Sequence, residues 1–173
     1  MAATRLEFRQ KYFQRVTCSL GLFWLSNPQA AVREWVRVTR PGGSVNVATF
    51  GVQAFQPLAG LLQQALAGLA GNVSATLPWA HLAAPETLRS LLEDAGLVDV
   101  EVHAEQLGYH LRDAQEWWEV VSHSGLRLMV EQVPKNRRER LQAEHLAQVV
   151  SLVNADGLWL DLPVLFARGR RPA

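Results

Sequence analysis

Between Phe13 and Gly51 the spacing of apolar residues switches from strand-like to helical and back. Val16, Thr17 and Cys18 form a β-branched, apolar run that predicts a strand, opening at Ser19, Leu20 and Gly21 into a pocket-lining loop. Asn27-Pro28 then predicts a helix start, because an Asn side chain accepts from a free amide and Pro at the first helical position has no amide to leave unpaired. Ala31, Trp35 and Val38 share one helical face with Val32 and Val36 beside them, while Arg33, Glu34 and Arg37 point elsewhere. Arg40-Pro41-Gly42-Gly43 predicts the stop, and residues 44–50 the next strand.

The later pattern keeps alternating between the two periods. Phe55, Leu58, Leu61, Leu62, Ala65, Leu66 and Leu69 predict a largely buried helix over residues 54–70, stopped by Gly71-Asn72. Residues 72–84 read as loop, with Trp79 as an apolar plug. A helix over 85–95 turns Leu88, Leu91 and Leu92 inward and closes at Gly96. Val98, Val100 and Val102 alternate with Asp99, Glu101 and His103, which predicts a strand half exposed to water. Asp113 caps a helix carrying Trp117, Trp118, Val120 and Val121. Residues 126–133 fit either period, with helix preferred, and Pro134 opens a helix to about residue 153 whose apolar side is Leu141, Leu146, Val149, Val150 and Val153. Asp156-Gly157 marks a turn before a closing strand over 158–168, where Pro163 predicts an edge position or a bulge. The expected architecture is one α/β domain over residues 1–173, with a helical insertion at about 113–153.

Composition narrows the class. Of 173 residues, 49% are hydrophobic and 19% charged, which suits a folded globule, and the formal charge of +1 offers no overall attraction to nucleic acid. The lone Cys18 rules out an intramolecular disulfide and suits a cytoplasmic protein. No stretch reaches the roughly 18 apolar residues of a membrane span.

Four motifs in order resemble one family. Leu6-Glu7-Phe8 followed by Phe13-Gln14-Arg15-Val16, then Arg37-Val38-Thr39-Arg40-Pro41-Gly42-Gly43, then the segment APETLRSLLEDAGL with its Val-alternating strand, and finally LFARGRRP are similar to the C-terminal half of class I S-adenosylmethionine-dependent methyltransferases of the ubiquinone/menaquinone type. The resemblance implies a truncated Rossmann-like sheet holding strands four to seven of that family, with S-adenosylmethionine as cofactor and a small organic molecule as acceptor. Cys18, Ser19 and Leu20 match positions beside the methionine end of the cofactor, and Leu22, Phe23, Trp24 and Trp117 are the implied acceptor contacts. The family's glycine-rich turn and its two cofactor-binding acids have no room before Leu6, and Gln14 and Glu7 replace the usual Asp and Pro. The expectation is therefore an enzyme by ancestry that is not competent alone, with no assignable catalytic base.

Plainer readings stand beside these. Phe23 and Trp24 fit core packing under the following helix, and Cys18 fits a buried structural thiol. His81, His103, His110, His123 and His145 show no metal-ligand spacing. Lys135, Arg137, Arg138 and Arg140, with Arg168, Arg170 and Arg171, fit a solvated basic face better than an RNA site. The competing function is a non-catalytic assembly module: with strand four first, its edge at Arg15, Val16, Thr17 and Cys18 is unprotected, which predicts a homodimer or a partner chain covering it.

Overall fold

The computed structural model describes residues 3–70 and 76–173. The predicted stop at Gly71-Asn72 lies outside the described residues. The elements, in order, are β1 (Phe13–Ser19), α1 (Pro28–Val38), β2 (Thr39–Phe50), α2 (Leu58–Ala70), α3 (Pro85–Glu93), β3 (Val98–Leu111), α4 (Ala114–His123), α5 (Arg127–Glu131), α6 (Lys135–Val150) and β4 (Leu158–Arg170), with short 3₁₀ turns at Leu22–Trp24 and Ala80–Leu82. The strands form a mixed sheet in the order β1-β2-β4-β3. β1 runs parallel to β2, with Thr17 beside Asn46 and Ser19 beside Ala48, and β2 runs antiparallel to β4, with Asn46 beside Arg168 and Ala48 beside Phe166.

The described residues group into two compact units. The first holds residues up to Val52, Trp79–Gln106 and Pro163–Ala173, and the second holds Gln53–Pro78 and Leu107–Leu162. The sequence led to the expectation of a single domain, with its helical insertion inside what is here the second unit.

In the first unit α1 forms as its caps and periodicity dictate. The Asn27 side chain accepts from the Ala30 amide, Pro28 takes the first helical position, and Ala31, Val32, Trp35 and Val38 are buried. The helix ends before the Arg-Pro-Gly-Gly run. Thr39 turns extended and its hydroxyl donates to the Trp35 carbonyl, so residues 40–43 belong to β2 instead of a separate turn. The register slips there: Phe13 faces Thr39, but Arg15 faces Ser44. Gly43 is required at this bulge, because a Cβ on it would lie 2.6 Å from the Gln14 carbonyl oxygen and 2.8 Å from the Thr39 methyl.

The polar face of α1 is also used. Glu34 accepts from the Leu6 amide and from Arg37, while Arg37 donates to the Leu6 and Phe8 carbonyls, so this pair ties the N-terminal segment to the helix. Arg37 holds the Glu34 carboxyl below the usual carboxylate range. At the far end of the chain, Arg171 donates to the carbonyls of Val36, Arg37 and Thr39, capping the C-terminus of α1 with a cation where the helix dipole favours one.

Three sequence expectations are corrected. β4 is an interior strand, yet it contains Pro163. The proline is tolerated because the pairing of β2 and β4 ends beside it, where the Gly51 amide donates to the Pro163 carbonyl and no return donor is needed. In β3 the expected alternation is partial: Val100 is buried, but Val98 is exposed and Asp99 takes a positive φ. In α6 the buried stripe is Leu141, His145 and Val149, while Val150 is exposed. The segment over 126–133 is helical in part, as α5, in line with the preferred reading. α2 begins at Leu58 and buries Leu58, Ala59, Leu62 and Leu66.

Candidate functional site

The site begins where β1 leaves the sheet. Leu20 takes φ 53°, a left-handed conformation, while its amide donates to the Ala48 carbonyl. That single residue swings the chain out of the strand and into the 3₁₀ turn. Cys18 is half-buried, and burial pushes its thiol upward, partly offset by the Gly21 backbone, so the side chain is a neutral thiol at physiological pH. Ser19 and Leu20 are exposed.

The turn splits its aromatic pair between core and surface. Leu22 is fully buried and Phe23 nearly so, whereas Trp24 is 44% exposed. Phe23 packs 5.2 Å from the Trp24 ring, 5.9 Å from Phe50 and 6.3 Å from Trp79, and Phe50 lies 5.1 Å from Trp79. The result is an aromatic cluster at the end of the sheet, with Trp24 as its open face and Trp79 as the apolar plug that the sequence suggested. Phe50 and Trp79 were absent from the sequence-derived site because they lie far from residue 24 along the chain.

Trp117 is placed elsewhere. It is fully buried within the second unit, where its indole N–H donates to His145 Nε2 at 2.8 Å, so it presents no surface to an acceptor. Trp118, its neighbour on α4, is partly exposed, as the 100° step between adjacent helical residues requires.

A second feature was not anticipated. One face of the sheet in the first unit carries a groove of about 310 Å³ lined by Thr17, Ser19, Asn46, Glu101, His103, Phe166 and Arg168, among others. Alternation along each strand puts Thr17, Asn46 and Arg168 side by side in one row, and Ser19, Ala48 and Phe166 in the next. Beside it Arg170 pairs with Asp99 at 2.5 Å. The signal was present in the sequence, but only the strand order brings these residues together. Among the described residues, no group of three His, Cys, Asp or Glu side chains is placed to hold a metal ion, and no helix is long and apolar enough to cross a membrane.

The family model described as a methyltransferase domain matches residues 1–47. The demethylmenaquinone methyltransferase of Mycolicibacterium paratuberculosis is 39% identical over 101 residues, covering 56% of this chain and 44% of that protein, so the chain spans less than half the length of this curated relative. Among solved structures, loganic acid methyltransferase with SAH aligns at a TM-score of 0.69 and 14% identity, over 99% of this chain and 65% of that one. The YcgJ protein of Bacillus subtilis aligns at a TM-score of 0.58 and 13% identity, over 100% of this chain and 70% of that one. These structural likenesses speak for the fold, an α/β sheet with flanking helices. The first part of the chain thus matches a methyltransferase domain model by sequence, and the described chain shares the α/β fold of methyltransferases of known structure.

Proposed function

We propose that this chain takes part in methyl transfer from S-adenosylmethionine to a small, ring-bearing organic acceptor of the quinone type, with the strand end at Cys18, Ser19 and Leu20 beside the methionine end of the cofactor. The observation that carries this reading is the half-open aromatic cluster at that strand end, with Trp24 exposed on it. The acceptor class is suggested by the relatives, which are demethylmenaquinone methyltransferases.

The residues present fit the group. S-adenosylmethionine supplies an activated methyl on a positively charged sulfur. From Val16 to Ser26 the chain carries no basic residue of its own to oppose that charge. The neutral Cys18 thiol adds no competing nucleophile. Trp24 offers a flat apolar surface on which an acceptor ring stacks, holding it near the end of β1.

Calorimetry with S-adenosylhomocysteine on the purified chain tests the proposal. Saturable heat at micromolar affinity supports the proposal, and silence overturns autonomous cofactor binding by this chain. A second reading, an assembly module without turnover, expects that silence; among the described residues β1 pairs on one side only.

A further inference from the structure

Two successive helices of the second unit carry the same spacing. Trp118, Val121 and Ser122 stand at i, i+3 and i+4 on α4, and Arg127, Val130 and Glu131 repeat that pattern on α5, so each set shares one helical face. Together with Arg138 from α6 they line a cavity of about 200 Å³ that lies wholly within this unit. Val121 is fully buried and Val130 nearly so, which gives the cavity an apolar lining. Trp118 is half-buried: its ring lies 6.1 Å from that of His145, and the part that His145 leaves uncovered faces the cavity.

Arg138 is held in place at this cavity. Its Nε donates to the Val133 carbonyl at 2.8 Å and its Nη2 to the Glu131 carbonyl at 2.7 Å, which fixes the planar guanidinium against the end of α5. Those bonds leave the rest of its N–H groups unused, and among the described residues no carboxylate pairs with it. Arg127 is paired with Glu131 at 3.4 Å, between side chains that are 59% and 46% exposed, and so wet a contact yields to a better acceptor at small cost. The lining thus holds two cations against one anion, and the Ser122 hydroxyl adds a further donor. A solvated basic face accounts for Lys135, Arg137 and Arg140, which are exposed on the same helix, but not for Arg138, which is half-buried.

We propose that this cavity binds a small aromatic carboxylate, its ring against Trp118, Val121 and Val130 and its carboxylate held by Arg138 and Arg127. The volume sets the size of the ligand: it is below the roughly 300–1,000 Å³ of sites for drug-sized molecules and suits a single ring. Charge sets the head group, because a planar guanidinium already fixed on one side offers a carboxylate paired N–H donors without further ordering. The apolar lining excludes a bare inorganic anion as the best occupant, since phosphate would satisfy the arginines and leave Trp118 and the two valines wet. The inference stands apart from the methyl-transfer reading, because no residue of the strand end at Cys18, Ser19 and Leu20 enters it.

Titration of the full chain with sodium benzoate, followed by NMR at the Trp118 indole N–H and the Arg138 Nε–H, tests the proposal. Saturable shifts of both signals with a Kd of about 0.1–1 mM are expected. Benzamide keeps the ring but loses the charge, and should bind about tenfold more weakly. Inorganic phosphate keeps the charge but loses the ring, and should also bind about tenfold more weakly. Arg127→Gln and Arg138→Gln should each weaken benzoate about tenfold, and Trp118→Leu about fivefold, each read at the signal it leaves in place. Arg127 is exposed, so its substitution leaves the fold intact, and far-UV circular dichroism checks the other two variants. An absence of shifts, benzamide or phosphate binding as tightly as benzoate, or a benzoate affinity indifferent to Arg127→Gln overturns the proposal.

Discussion

Acid should unfold the helical unit through one buried imidazole. His145 is fully buried on α6, and Nε2 accepts from the Trp117 indole at 2.8 Å, which leaves the ring proton on Nδ1, where it has no partner. Protonation would place a second proton where the indole N–H already points and would bury a charge among Trp117 and Trp118. Burial accordingly lowers the His145 pKa from an ordinary 6.5 to about 4. Because the folded value lies below the unfolded one, stability is full above the unfolded value and is lost as pH falls toward the folded one. The total loss is about 3 kcal/mol, of which about 2 kcal/mol is gone at pH 5. The assay is urea unfolding, followed by far-UV circular dichroism between pH 8 and pH 4, for the wild type and His145→Gln. The variant, which cannot titrate, should be less stable at pH 8 but should lack this component of the pH slope. If the two proteins lose stability in parallel across the window, the imidazole is not the titrating group and the argument fails.

Other outcomes follow from particular contacts. Gly43→Ala forces a Cβ against the Gln14 carbonyl at the β2 bulge and should cost about 1–3 kcal/mol in the same unfolding assay. Arg171→Ala removes three hydrogen bonds to the end of α1 and should cost about 2 kcal/mol, with Arg171→Lys recovering only part because an ammonium cannot reproduce the planar fork. Trp24→Ala should leave the heat with S-adenosylhomocysteine unchanged while raising the KM for a demethylnaphthoquinol acceptor about tenfold; an unchanged KM would remove Trp24 from the acceptor wall.

Much of the local structure was legible because its causes are local. Asn27-Pro28 starts a helix wherever a following apolar stripe finds something to cover, and Asp113 caps α4 by accepting from the Glu116 amide for the same reason. The helical preference for residues 126–133 held in α5 because Leu126, Met129 and Val130 find buried positions one helical turn apart. The errors occur where a distant partner decides. Arg40-Pro41-Gly42-Gly43 carries a turn signature, but pairing beside Phe13 and Arg15 draws it into β2 as a bulge. His145 counted as polar in the sequence pattern, yet an indole donor on α4 makes it the middle of the buried stripe on α6.

The candidate site divides in the same way. The strand end at Cys18, Ser19 and Leu20 and the turn after it follow from a short stretch of sequence, and Leu22, Phe23 and Trp24 were adjacent from the start. Which of the three faces water was not encoded locally: Phe50 and Trp79 bury Phe23, and Trp24 is left open. Trp117 matched the same aromatic logic but was claimed by the core of its own unit.

By itself the sequence determined the order and type of most elements, because periodicity, caps and short motifs act over a few residues. Only the tertiary structure decided that β4 lies between β2 and β3 and that Pro163 stands at the limit of a pairing. Those outcomes depend on hydrogen bonds and packing between residues far apart along the chain, such as Phe50 beside Val164, and no local pattern carries that information.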